Sequence, residues 1–126
     1  MSGNPAPGYQ KKPDHKVEAT PFNGRVCANF NGVAIAETTS ALAVQETGYP
    51  LVYYMPRSDV RMYLARKTDR QSHCPFKGDA AYFSFAVDGA ETENAAWSYE
   101  APYDEAAALK DHLAFYGNRI DALDVA

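Results

Sequence analysis

The apolar stretches of this chain are short, and turn-forming residues separate them. Residues 25–30 lead into Asn31-Gly32, and residues 33–36 lead out of it. An Asn-Gly pair between two apolar runs is the strongest short-range signal of a β-hairpin, because both central residues of a type I′ turn need positive φ. Residues 80–87 read as the clearest strand. These frequent turn signals favour antiparallel strands over long helices.

Other short runs extend the same pattern along the chain. Strand character recurs in residues 16–20, 42–46, 51–55, 95–101 and 113–116. Helical spacing or a helix-start signal appears only twice, in residues 58–64 and 104–110. We therefore predict a mainly β fold, with seven or eight short strands in curled antiparallel sheets and two short helices.

The length sets the number of domains. A chain of 126 residues and 13.8 kDa suffices for one domain and not for two. Residues 1–14 contain three prolines and almost nothing apolar except Tyr9, which predicts an N-terminal coil arm. We expect residues 15–126 to form a single domain.

Composition argues against several classes of protein. No apolar run is long enough to span a membrane, and residues 1–8 lack the apolar core of a signal peptide, so a cytoplasmic location is expected. Two cysteines, Cys27 and Cys74, are too few for a disulfide framework. No CxxC pair is present, which argues against structural zinc. The sequence implies no cofactor, and it leaves the oligomeric state open.

Several short motifs, in order, resemble those of the domain of unknown function 427 family. They are Phe30-Asn31-Gly32 with Ala36, Glu46, Tyr54-Met55-Pro56-Arg57 with Asp59-Val60, Cys74-Pro75-Phe76-Lys77-Gly78, Ala81-Tyr82, Ala96-Trp97-Ser98-Tyr99 with Pro102, and Ala114-Phe115-Tyr116. The resemblance implies a β-tent fold, in which sheets lean together over a groove, and no established activity. A nucleotidyltransferase label is sometimes attached to the family. This chain lacks the Gly-Ser and paired Asp-x-Asp that such metal-dependent chemistry needs.

Cys74 and Glu46 are the first candidates for chemistry. Cys74 lies three residues before Lys77 in a Pro-Gly loop, where a lowered thiol pKa would make it a nucleophile. The alternative is a small, half-buried structural cysteine. Glu46 ends an apolar, alternating strand, so partial burial would suit it to general acid or base catalysis. Its alternative is a structural ion pair with Arg57 or Lys77.

Positive charge is concentrated in the middle of the chain. Residues 57–77 carry six basic side chains against two acidic ones, whereas the whole chain has a net charge of −4. Arg57 and Lys77 lie in turn motifs, where they could hold an anion. We expect Arg61, Arg66, Lys67 and Arg70 to form a solvated basic face. The acidic total argues against nucleic-acid binding as the default.

The sixteen aromatic residues point to a core with a groove beside it. Tyr and Trp need hydrogen-bond partners when buried, and with Glu46, Arg57 and Lys77 they would form an aromatic pocket with a few polar groups. We expect Tyr54, Tyr82, Trp97 and Tyr99 to contact a small polar or anionic ligand. The alternatives are a thiol-dependent redox enzyme using Cys74, and a protein- or single-strand nucleic-acid-interaction module using the basic stretch with Tyr63 and Tyr82. A structural accessory domain without a ligand also remains open.

Overall fold

The computed structural model describes residues 4–126, which form ten antiparallel strands. Seven of them make one sheet in the order β1-β4-β5-β9-β8-β7-β6, and three make a second sheet in the order β10-β2-β3. Their bounds are β1 Val17–Pro21, β2 Val26–Phe30, β3 Val33–Thr38, β4 Leu42–Glu46, β5 Val52–Pro56, β6 Ala65–Cys74, β7 Gly78–Val87, β8 Ala90–Ser98, β9 His112–Phe115 and β10 Ala122–Val125. The predicted mainly β, single-domain fold is confirmed.

The hairpin between β2 and β3 turns at the predicted Asn-Gly pair. Asn31 has φ 50° and Gly32 has φ 77°, the positive values that a type I′ turn requires. Phe30 and Val33 pair directly across the turn. The local signal in the sequence therefore specifies this connection.

Side chains of the large sheet alternate between two apolar clusters, because successive residues of a strand point to opposite faces. One face packs against the three-stranded sheet and buries Met55, Phe83, Phe85, Leu113 and Phe115. The opposite face buries Tyr54, Tyr82, Tyr99, Ala114 and Leu109, with Trp97 and Tyr116 packed against them. The sheet thus separates the phenylalanines of its central strands from Tyr54, Tyr82 and Tyr99.

Helical structure in the described residues is confined to segments of one or two turns. The segments predicted as helices contain the 3₁₀ turns Arg57–Asp59, Met62–Leu64 and Asp104–Leu109. A fourth 3₁₀ turn covers Gly117–Arg119, and one α-helical turn, α1, covers Gly8–Lys11 in the N-terminal arm. No helix of the described residues is long and apolar enough to cross a membrane.

Two strands were not anticipated from the sequence. β6 is almost entirely polar, yet it pairs with β7 over most of its length, with a register shift between Lys67 and Gln71. β10 pairs with β2 near the end of the chain. An edge strand exposes most of its side chains, so the apolar alternation that reveals a half-buried strand is absent from β6.

The predicted coil arm contacts the body of the protein. Residues 1–3 of that arm lie outside the described part of the chain. The backbone N–H of Gly8 donates to the carbonyl of Pro75 at 3.0 Å, and the N–H of Asp104 donates to the carbonyl of Asn4 at 2.9 Å. Tyr9 packs edge-on against Phe76, with ring centroids 5.0 Å apart. These contacts hold the arm across the turn that joins β6 to β7.

Candidate functional site

A cavity of about 430 Å³ opens on the tyrosine-bearing face of the large sheet. This volume lies within the range of small-molecule sites. Strands β4, β5 and β8 form its floor, and the end of β6 with the following turn forms one side. Its lining residues are Val44, Glu46, Tyr49, Pro50, Val52, Tyr54, Ser72, His73, Cys74, Pro75, Lys77, Tyr82, Trp97, Tyr99 and Tyr116.

Strand register aligns the aromatic wall of the cavity. Tyr82 pairs with Trp97 across β7 and β8, and Trp97 pairs with Ala114 on β9. The Trp97 indole N–H donates a hydrogen bond to the Tyr54 hydroxyl at 3.2 Å. The Trp97 and Tyr116 rings lie 4.5 Å apart between centroids. The rings brace one another in tilted and edge-on contacts, with planes inclined by 41° between Trp97 and Tyr116, and together they form an aromatic wall.

Charged groups occupy the opposite end of the cavity. The Lys77 ammonium donates to one carboxylate oxygen of Glu46, and both side chains are about nine-tenths buried. His15 bonds through Nε2 to the other carboxylate oxygen at 2.9 Å. Because each carboxylate oxygen has a partner, the charge of Glu46 is compensated in spite of its burial.

His15 is the first residue after the arm, and its ring stacks on Phe76. The two ring centroids are 3.8 Å apart and the planes are inclined by 17°. Phe76 lies in the turn that also carries Lys77. His15 therefore anchors the end of the arm beside the charged groups by two contacts, one apolar with Phe76 and one polar with Glu46.

A wider cleft of about 1050 Å³ lies on the other side of this arm. Lys11, Lys12 and His15 contribute to its lining, and Tyr49 and Pro75 line both the cleft and the cavity. Because Tyr49 and Pro75 line both spaces, the cleft and the cavity lie side by side. The arm and the turn after β6 thus form the boundary between them.

Tyr54 and Tyr99 are buried tyrosines of the cavity. Burial raises the pKa of Tyr54 well above the usual tyrosine value, although the hydrogen bond from Trp97 works against it. Burial also raises the pKa of Tyr99, and a charge on Tyr54 would raise it further. Both phenols therefore stay protonated in neutral solution and can donate hydrogen bonds.

Tyr82 differs from these two phenols. Burial acts to raise its pKa, but hydrogen bonds from Ser72, Tyr116 and Arg70, with the charge of Arg70, outweigh burial and lower it. The Tyr82 and Ser72 hydroxyl oxygens are 2.8 Å apart. Burial and the contact with Tyr82 raise the pKa of Tyr116 to about 12. Tyr82 is thus the phenol of this group that loses its proton most readily.

Cys74 lies at the edge of the cavity as a free, half-buried thiol. It is the last residue of β6, and it pairs with Gly78 across the turn. The neighbouring His73 bonds through Nδ1 to Asp79 at 2.7 Å. Cys27, also free, lies in β2 of the other sheet.

Arg57 is placed away from the other predicted site residues. It does not line the cavity. Its guanidinium lies over the Phe83 ring, 5.3 Å from the centroid, and it pairs with Glu100 at 3.4 Å. Phe83 belongs to the opposite face of the sheet, so Arg57 packs on the side away from the cavity. The other predicted site residues line the cavity together: Glu46, Tyr54, Cys74, Lys77, Tyr82, Trp97 and Tyr99.

Sequence reasoning missed three contributors to the site. His15 lies 31 residues before Glu46 in a segment without a clear pattern. Ser72 lies in the unpredicted strand β6, and Tyr49, which is 61% exposed, lies at the turn before β5. The sequence position of Tyr49 could have indicated its role, because Tyr49 lies between Gly48 and Pro50, in the turn that follows the strand ending in Glu46.

The basic stretch forms ion pairs on the surface. Lys67 pairs with Glu100 at 2.7 Å, and Arg66 pairs with Glu91 at 3.1 Å. Tyr63 is 78% exposed, whereas Tyr82 is buried and lines the cavity. Tyr63 and Tyr82 therefore do not form one exposed stacking surface for nucleic-acid bases.

A family model described as Domain of unknown function (DUF427) matches residues 18–126. The chain belongs to this family. The match covers every strand except the first residue of β1, so all the DUF427 motifs in the sequence fall within it. No curated protein matches this chain significantly. Within residues 4–126 of this DUF427 protein, no group of three or more His, Cys, Asp or Glu side chains could hold a metal ion.

Proposed function

We propose that this protein binds a small polar or anionic organic molecule in the cavity between Glu46 and Trp97. The observation that carries the proposal is the convergence of seven side chains, of acidic, basic, thiol and aromatic types, on one concave space of about 430 Å³. An apolar wall with a few polar groups at one end is the usual design of small-molecule sites. We also propose a cytoplasmic location, since a reducing compartment keeps Cys27 and Cys74 as free thiols.

The same cavity supports a catalytic version of the proposal. Glu46 would exchange a proton with the ligand, and Lys77 would stabilise negative charge that develops during the reaction. Glu46 and Lys77 are bonded to each other, so a ligand must compete for one of them. Arg57, which is bound to Glu100 behind the sheet, takes no part in this version.

Fragment binding to the full chain tests the proposal. Ligand-observed NMR would screen a collection of small polar and anionic aromatic compounds. Val52→Trp would fill the cavity from a half-buried lining position. Leu51→Trp is the matched control, because the neighbouring Leu51 is 44% exposed and does not line the cavity.

We expect binding that Val52→Trp abolishes and that Leu51→Trp leaves unchanged. Both variants must show the wild-type circular dichroism spectrum for the comparison to count. Absence of any fragment sensitive to Val52→Trp would refute a ligand site in this cavity.

A thiol-dependent reaction at Cys74 is the second candidate. The observation in its favour is that Cys74 reaches the same cavity while remaining partly exposed. Cys27 is buried in the other sheet and provides an internal comparison. Alkylation with iodoacetamide at neutral pH, followed by peptide mass spectrometry, would measure both thiols. We expect Cys74 to react faster than a model thiol under this hypothesis, and a rate equal to or below that of the model thiol would reject it.

A further inference from the structure

Two tyrosine hydroxyls of the cavity have no hydrogen-bond acceptor among the described residues. Tyr99 is 7% exposed, and its hydroxyl has no hydrogen-bond partner among residues 4–126. Every fully buried side-chain N or O atom in that part of the chain has a partner, so the Tyr99 hydroxyl is not fully buried, and Tyr99 lines the cavity. The Tyr54 hydroxyl accepts the bond from Trp97, and its own hydrogen has no acceptor among the described residues. Two phenolic donors are therefore available to the contents of the cavity.

These donors lie next to the buried ion pair. The Lys77 ammonium lies 5.8 Å from the centroid of the Tyr99 ring. Tyr54 and Tyr99 line the same cavity as Glu46 and Lys77. The two tyrosines thus share one cavity with the ion pair.

The charges of that neighbourhood are already balanced. Glu46 is the only acidic side chain lining the cavity within the described residues, and it bonds to Lys77 and His15. His73, the other basic side chain in the lining, bonds to Asp79. Arg70, whose guanidinium lies 4.8 Å from the centroid of the Tyr82 ring, is outside the lining. Among the lining residues, a ligand carboxylate would find no cation without a partner, and it would lie close to Glu46. Burial of such an uncompensated charge is strongly unfavourable.

We propose that the ligand is a small planar compound with an uncharged carbonyl oxygen, which accepts hydrogen bonds from the Tyr99 and Tyr54 hydroxyls. This inference rests on the proposed function and narrows its ligand class. The Trp97 and Tyr116 rings, whose planes are inclined by 41°, offer apolar aromatic faces to the planar part. Primary amides, lactams and aromatic ketones have the required chemistry.

Three probes of similar shape separate the possible ligand classes. Benzamide has a planar ring and a neutral carbonyl group, benzoate replaces the amide with a carboxylate, and toluene has no acceptor. Their affinities for the full chain at neutral pH would be measured by NMR titration. We expect a dissociation constant on the order of 1 mM for benzamide, which is typical of fragments. Benzoate and toluene should bind at least about ten-fold more weakly.

Removal of a single hydroxyl group then tests the Tyr99 donor. Tyr99→Phe keeps the ring and should weaken benzamide about five-fold while leaving toluene unchanged. Tyr63→Phe is the matched control, because Tyr63 is exposed and does not line the cavity. It should leave the affinity for benzamide unchanged.

Other results would overturn either the carbonyl assignment or the proposed function. Benzoate or toluene binding as tightly as benzamide would overturn the carbonyl assignment, and so would unchanged benzamide affinity in Tyr99→Phe. If benzamide does not bind but other fragments bind and lose their affinity in Val52→Trp, only this inference fails. If no fragment binds at all, the proposed function fails with it.

Discussion

Glu46 and Lys77 form a buried ion pair that joins β4 to the turn between β6 and β7. The two residues are 31 positions apart in the chain, and each side chain is about nine-tenths buried. Buried ion pairs add little net stability, because desolvation offsets most of their attraction, but an unpaired buried charge is strongly destabilising. The pair thus fixes the position of the turn relative to the sheet.

The first prediction concerns the loss of one member of this pair. Lys77→Met should lower the free energy of unfolding by about 3–5 kcal/mol, because it leaves the Glu46 carboxylate buried with His15 as its remaining partner. The double variant Glu46→Gln/Lys77→Met should recover part of that loss, since the introduced amide is uncharged and could still bond to His15. Urea unfolding of the two variants and the wild type would measure both effects.

An exposed ion pair provides the control for the Lys77→Met variant. Lys67 and Glu100 have side chains that are 54% and 39% exposed. Lys67→Met should lower the free energy of unfolding by about 1 kcal/mol or less, as is usual for surface pairs. Equal losses in Lys77→Met and Lys67→Met would contradict the structural importance of the buried pair.

The second prediction concerns the arm. His15→Ala removes the stacking on Phe76 and the bond to Glu46, so it should lower the free energy of unfolding by about 1–3 kcal/mol. The arm should also detach more often, and hydrogen exchange at the Gly8 N–H, which bonds to Pro75, should accelerate. His112→Ala is the control, because the His112 side chain bonds, among the described residues, only to the nearby Lys110 carbonyl. Unchanged exchange at Gly8 in His15→Ala would show that His15 does not anchor the arm.

The sequence was most informative where burial imposes alternation. Tyr82 and Phe83 are adjacent in a strand, so the period of two places them on opposite faces without knowledge of the fold. The same rule placed Glu46 beside Val44 on the cavity face. These residues could be predicted because local geometry alone determines their direction.

Alternation fails where the chain leaves the strand or the strand lies at an edge. Arg57 follows β5 in a 3₁₀ turn, so the period of two no longer sets its direction, and it packs on Phe83. β6 is an edge strand whose polar residues give no apolar signal. His15 reaches Glu46 through a long-range contact that no local pattern encodes. Tertiary contacts determine these features.

The third prediction concerns Gly78, which follows Lys77 and begins β7. Its φ of 120° is unfavourable for any residue with a Cβ, and a Cβ there would lie 3.3 Å from the Pro102 Cα. Gly78→Ala should therefore lower the free energy of unfolding by about 1–3 kcal/mol. Gly117→Ala, in open space without a positive φ, should change it by about 0.5 kcal/mol or less. Thermal unfolding of both variants would measure the difference, and equal stabilities would refute the strain at Gly78.

The fourth prediction concerns alkaline pH. A tyrosine whose pKa is raised by folding contributes stability below its unfolded value of 10, and this contribution is lost as the pH rises above it. Tyr99→Phe should therefore lose less stability than the wild type above pH 10. The pKa of Tyr82 is lowered by folding, so the contribution of Tyr82 grows as the pH rises toward 10. Tyr82→Phe should lose more stability than the wild type over that rise.

Urea unfolding at a series of pH values would measure these opposite trends. An absorbance titration adds a direct readout of tyrosine ionisation. The difference in absorbance between the wild type and Tyr82→Phe should titrate below pH 10. The corresponding difference for Tyr116→Phe should titrate near pH 12. Parallel stability profiles for Tyr99→Phe and Tyr82→Phe would contradict the distinct environments of the two phenols.

The last prediction separates Arg57 from the cavity. Arg57→Ala removes the contact with Phe83 and the half-exposed pair with Glu100, so it should lower the free energy of unfolding by about 1 kcal/mol. Fragment affinity should change less than about two-fold, because the cavity keeps all its lining residues. Lys77→Met provides the contrast, since it removes a lining residue and should alter the affinity. A large loss of binding in a correctly folded Arg57→Ala protein would show that Arg57 contributes to the ligand site. Its effect on binding could not then be attributed to packing behind the sheet.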